Sequence, residues 1–133
     1  MSGRKHGLRD RGAAAVEFAL VAPLLILLVM GIMEFGRAYE AQTTLSGAAR
    51  ASVRVMALSN DPVAARTAAK NVASPSITLS DAQIAISPAS CATSGTTAPA
   101  TATVTITYPL SFFTNLFGSG VTLTGKGSMR CNG

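Results

Sequence analysis

The run from Ala13 to Met33 is apolar throughout except for Glu17. At about 1.5 Å per residue it would make a helix about 31 Å long, which matches the roughly 30 Å hydrocarbon core of a bilayer. Past Met33 the pattern changes character. Phe35, Ala38, Gln42, Leu45, Ala49, Ser52 and Met56 recur at alternating spacings of three and four, the signature of a helix with one packed seam. The two patterns together predict a single helix from Ala13 to about Ala57. Its first half would be apolar on every side. Its second half would carry an alanine-rich stripe that permits close approach, with Arg50 and Arg54 on another face.

Ser59-Asn60-Asp61-Pro62 predicts the end of that helix and the start of another. Asp61 is suited to the N-cap and Pro62 to the first turn. The second helix should run to about Ala73 and break at Ser74-Pro75. Period-two alternation then predicts strands over Ala82–Ser87 and Ala102–Tyr108. A third strand, Val121–Arg130, is weakened by Gly125 and Gly127. Pro88 to Ala100 reads as a Ser/Thr/Ala/Pro-rich loop that holds Cys91. The segment from Leu110 to Phe117 concentrates Phe112, Phe113 and Phe117. It is expected to cover one face of the sheet, the other reading being an exposed apolar patch for a partner. The fold class is α+β: a long N-terminal transmembrane helix continuing into a small head with a short helix and a roughly three-stranded antiparallel sheet.

Charge adds topology. The chain of 133 residues has a net charge of +5. Four basic residues, Arg4, Lys5, Arg9 and Arg11, precede Gly12 against one acid, Asp10. By the positive-inside rule these hold residues 1–12 in the cytoplasm, and the chain beyond Met33 is exported. The remaining basic residues are scattered, without the clustering and aromatic partners of a nucleic-acid surface, so no nucleic-acid partner is expected. The lone acid of the apolar run is costly, on the order of 3 kcal/mol at the centre of a bilayer. Such a residue points to a role beyond anchoring.

Gly12 followed after five positions by Glu17 and then Phe18, at the head of an apolar run, resembles a prepilin-type leader. In such leaders a membrane peptidase cuts after the glycine and leaves glutamate as the fifth residue. The wider string resembles the amino-terminal region of the TadE-like family, pseudopilins or minor pilins of the Tad (tight adherence) type IV pilus system. The matching residues are Gly12, Ala15-Val16-Glu17-Phe18-Ala19-Leu20, Pro23, Gly31, Glu34, Gly36-Arg37 and Ala48-Ala49-Arg50.

The resemblance implies cleavage between Gly12 and Ala13, and assembly and register set by Glu17 and Phe18. It implies as partners other pilin subunits, a prepilin peptidase, an inner-membrane assembly platform and the lipid bilayer. The expected organisation is a cytoplasmic leader (1–12), a transmembrane helix (13–33), a periplasmic extension of that helix (34–58) and a periplasmic pilin-like head (59–133). The expected location is the bacterial inner membrane, with the cell surface as a second location for a subunit within a pilus. A head of that size favours a minor over a major pilin. A rival reading is a single-pass envelope protein with a periplasmic binding head, never cleaved. A weaker rival is a type II secretion or competence pseudopilin, against which stands Ala13 where a methylated phenylalanine usually follows the cut.

Cys91 and Cys131 both fall in the exported part. In an oxidising periplasm an isolated pair reads as a disulfide, worth about 4 kcal/mol in the chain-entropy model; two free buried thiols are the other reading. No cofactor or metal is expected, because the one histidine, His6, lies in the leader and the cysteine spacing is not a zinc pattern. No nucleophile motif, phosphate loop or carboxylate pair emerges, so no catalytic residue is assigned and the chain is not expected to be an enzyme.

Overall fold

In a computed structural model, residues 6–91 and 101–131 are described. The elements in order are α1 (His6–Ser59), α2 (Pro62–Ala73), a 3-10 turn (Asp81–Gln83), β1 (Ile84–Ser87), β2 (Thr101–Ser111), a second 3-10 turn (Asn115–Phe117) and β3 (Gly120–Arg130). The long apolar helix, the short helix and the three-stranded antiparallel sheet make an α+β fold. The chain divides into two compact units, residues 1–36 and 37–133.

The first unit is helix. It begins at His6 rather than at the expected Ala13, since Leu8, Arg9 and Arg11 are good helix formers and each intervening glycine costs only about 1 kcal/mol. Pro23 lies inside the helix, and its missing N–H leaves the Ala19 carbonyl without its usual helical partner.

The second unit packs residues 37–59 of α1 and the whole of α2 with the sheet. On α1 the buried side is broader than the predicted seam, taking in Ala41, Ala48, Val53 and Ala57 as well as Leu45, Ala49, Ser52 and Met56. Phe35, expected to open the seam, is 75% exposed. Asn60 ends α1 in the left-handed region at φ 52°, with its N–H bonded to the Met56 carbonyl at 3.0 Å. Asparagine tolerates that conformation and commonly closes helices this way.

Asp61 caps α2 as its chemistry predicts, its Oδ1 accepting from Val63 N at 2.9 Å and Ala64 N at 3.1 Å. Pro62 fills the first turn, and Ala65, Ala69 and Ala73 form the buried stripe of α2. The expected first strand is shorter than Ala82–Ser87. Ser80 N donates to Gln83 Oε1 at 2.9 Å and Gln83 N to the Ser80 carbonyl at 3.1 Å. These bonds turn residues 81–83 into a 3-10 helix and delay the strand to Ile84.

The sheet order is β1-β2-β3. Register pairs Ile84 with Ile106 and Ile86 with Val104, and β3 lies so that Val104 faces Gly127 and Ile106 faces Gly125. β2 extends past Tyr108 through Pro109 to Ser111. The proline is tolerated because β1 pairs only with residues 103–106, which leaves one side of β2 free there.

The two glycines of β3 do more than weaken it. A Cβ on Gly125 would sit 2.5 Å from the Leu45 carbonyl oxygen, and one on Gly127 2.8 Å from that of Ala49. The sheet therefore meets the backbone of α1, one helical turn to two strand residues. Gln42 Nε2 fixes the same register by donating to the Thr124 carbonyl at 2.8 Å. Leu45, Met56, Ile84, Val104 and Ile106 fill the core beside this contact, each worth about 2 kcal/mol on burial.

The segment from Leu110 to Phe117 corrects the sequence expectation. Leu110 is buried, yet Phe113, Leu116 and Phe117 are exposed rather than laid over the sheet. β2 and β3 stay paired out to Ser111 and Gly120, so residues 112–119 form the turn beyond the sheet and have no sheet face to cover.

Candidate functional site

Gly12, Ala13, Glu17 and Phe18 all lie on α1 in the first unit, and all are exposed. Helical geometry sets their relation. Glu17 stands four residues after Ala13, so the two share a face about 6 Å apart along the axis. Side chains in a helix lean toward its N-terminus, which aims the Glu17 carboxylate back toward the level of Ala13. Phe18 is 75% exposed, Leu20 73% and Leu24 68%. Every residue from Arg11 to Val21 is exposed, and α1 is long and apolar enough to cross a membrane.

A Cβ placed on Gly12 meets nothing within 4 Å among the described residues, and the same holds at Gly36.

In the second unit, Cys91 and Cys131 form a disulfide. Cys91 is also held from its backbone, since Cys91 N donates to Asn60 Oδ1. The asparagine that closes α1 thus grips the disulfide segment. Sequence reasoning gave Asn60 only a helix-ending role; its side-chain partner is 31 residues away and leaves no local signal. Most of the predicted loop from Pro88 to Ala100 lies outside the described residues, as do Arg4 and Lys5 of the basic leader.

A groove of about 190 Å³ in the second unit is lined by Arg37, Glu40, Thr44, Ser76 and Tyr108 among others. Among the described residues no group of three or more His, Cys, Asp or Glu could hold a metal ion. Lys70 Nζ pairs with Asp81 Oδ1 at 2.6 Å, tying α2 to the turn before β1. The hydrogen bond and the charge of Lys70 hold the Asp81 carboxyl below its ordinary value.

The family model described as TadE-like protein matches residues 12–54. This stretch of the chain is similar to TadE-like proteins. The matched region opens at Gly12, contains Glu17 and the whole exposed apolar segment, and continues into the buried face of α1 as far as Arg54. No curated protein and no solved structure matches the chain. The sheet, α2 and the disulfide lie beyond the TadE-like stretch.

Proposed function

We propose that the protein is a minor pilin or pseudopilin that takes part in assembly of a Tad-type pilus. The observation that carries this reading is the TadE-like match at residues 12–54, which begins at the glycine that a prepilin peptidase would require. The fold supports it. Gly12 is exposed and unencumbered, and the apolar helix after it has no cover of its own. Its role is structural rather than enzymatic.

In this reading the basic residues before Gly12 hold the amino terminus in the cytoplasm, and residues 37–131 stand in the periplasm. Cleavage between Gly12 and Ala13 frees an α-amino group at the start of the apolar helix. Glu17, aimed toward that level, pairs with the new amino group of an adjoining subunit. The pairing offsets two charges that lipid or a dry filament core would penalise heavily. Phe18 and the apolar residues after it then bundle with neighbouring helices, and Glu17 sets their axial register. The partners are other pilin subunits, the prepilin peptidase and the inner-membrane assembly platform.

The intact mass of membrane-extracted protein, made with and without its prepilin peptidase, tests the first step. The expected result is a chain that starts at Ala13 only when the peptidase is present. A full-length chain in both samples would instead favour an uncleaved single-pass envelope protein.

A further inference from the structure

The outer edge of β3 is open. Register pairs Ser111 with Gly120, and one step further Phe112 N donates to the Ser119 carbonyl at 3.3 Å. In an antiparallel ladder, pairs that bond in this way alternate with pairs whose backbone groups point outward. Along the register, the odd-numbered residues from Val121 to Met129 therefore bond to β2. Thr122, Thr124, Lys126, Ser128 and Arg130 direct their N–H and C=O groups away from it. Gln42 agrees with that parity, since it reaches the Thr124 carbonyl from α1. β3 ends the sheet, its pairing runs unbroken from Gly120 to Arg130, and it contains no proline. Among the described residues no backbone hydrogen bond reaches Lys126, Ser128 or Arg130 on the outer side.

Basic residues far apart in sequence meet at this edge. A Cβ on Gly127 would lie 3.2 Å from Arg50 N, so α1 brings Arg50 beside the strand residues Lys126 and Ser128. Arg54 follows one turn later on the same face of α1. Arg130 shares the outer face of β3 with Lys126. All four cations are exposed, and none has an ion-pair partner among the described residues. The carboxylates of residues 37–133 lie elsewhere: Glu40 lines the groove beside Tyr108, Asp61 caps α2 and Asp81 is held by Lys70.

An unpaired edge accepts a further strand. A second copy of β3 is a poor occupant. Paired antiparallel about Ser128, Lys126 of one chain would stand directly against Arg130 of the other, and like charges so placed destabilise a sheet. The same charges select a partner of opposite sign. Side chains of an added strand alternate between the two sides of the sheet, so acids at one parity would meet Lys126 and Arg130. Acids at the other parity would meet Arg50 and Arg54. We propose that the free edge of β3 takes up an extended acidic segment of another protein by strand addition. Main-chain bonds form to Lys126, Ser128 and Arg130, and the four cations read the carboxylates. The inference rests on the second unit alone and does not depend on the role given to Glu17.

The full chain in a neutral detergent is titrated into a fluorescein-labelled peptide of alternating glutamate and threonine, and anisotropy is followed. The expected result is saturable binding that weakens about tenfold in Lys126→Glu and in Arg50→Glu, because each sets like charge against the peptide. Arg66→Glu makes the same change in net charge on α2 and should bind as wild type does. Where a reversal lowers the urea midpoint, the matching glutamine variant takes its place. The same peptide N-methylated at every residue keeps its carboxylates and loses its main-chain donors, and should bind about tenfold more weakly. Absence of saturable binding would overturn the proposal. Equal binding of the N-methylated peptide, or equal loss in Arg66→Glu, would reduce the effect to net charge and overturn it too. Tighter binding of a single-stranded oligonucleotide than of the acidic peptide would overturn it in favour of a nucleic-acid surface.

Discussion

Along the single helix α1, apolar side chains meet two fates. Between Val16 and Met33, leucine, isoleucine, valine and phenylalanine are exposed. Between Ala41 and Ala57 the buried face holds Leu45, Val53, Met56 and a row of alanines, covered by the chain's own sheet and second helix. The glycines repeat the contrast. Gly12 faces open space, whereas Gly125 and Gly127 face backbone too close for a Cβ. One region is finished within the molecule, and the other, in our reading, is completed by lipid and by neighbouring subunits. Stability and assembly should therefore be separable by mutation.

The largest test of the self-contained region is its cross-link. Replacing both Cys91 and Cys131 by serine should cost the second unit about 4 kcal/mol, read as a lower urea midpoint for the full chain in detergent micelles. Membrane insertion should be unchanged. An unaltered midpoint would mean that the packing around Asn60 and Cys91 holds the segment without the bond.

Gly125→Ala comes next. Its methyl would press on the Leu45 carbonyl, and separating the sheet from α1 should cost about 3 kcal/mol, the upper end of ordinary overpacking. Tolerance of alanine there, with wild-type unfolding, would show that the close approach between β3 and α1 is not required.

The smallest effect belongs to Lys70 and Asp81. Because Lys70 lowers the Asp81 value in the folded chain, the pair contributes stability that is fully present above the unfolded carboxyl value. That contribution is lost as pH falls through the lower folded value. Both groups are exposed, so solvent screening keeps the effect small. The gap in urea midpoint between wild type and Lys70→Ala should be constant near neutral pH and close in acid. A gap that persists in strong acid would trace the effect to lost packing of the lysine stem.

What was legible in the sequence follows from which physics leaves a periodic trace. The change at Met33 from uniformly apolar to striped shows the two characters of α1, and Asp61-Pro62 announces α2 because capping is local. Alternation shows the first two strands. The glycines of β3 were read as a weakness because a backbone-to-backbone contact with Leu45 and Ala49 leaves no side chain to notice. The aromatic turn was misplaced for a different reason: Phe113, Leu116 and Phe117 have the composition of a core, and only the length of the β2–β3 pairing shows that they lie beyond it. At Glu17 the sequence spoke more clearly than the fold, since a carboxylate in an apolar run is chemically conspicuous while its position in α1 is ordinary.

Glu17→Ala tests the central claim most directly, that the exposed half of α1 is completed by other subunits through this carboxylate. Co-purification of the variant with the other pilin subunits would be compared with that of wild type, together with its membrane fraction and urea midpoint. The account predicts normal insertion and an unchanged midpoint, because Glu17 lies outside the second unit, with loss of the variant from the assembly. Normal incorporation of Glu17→Ala would contradict the account and leave α1 as an anchor alone.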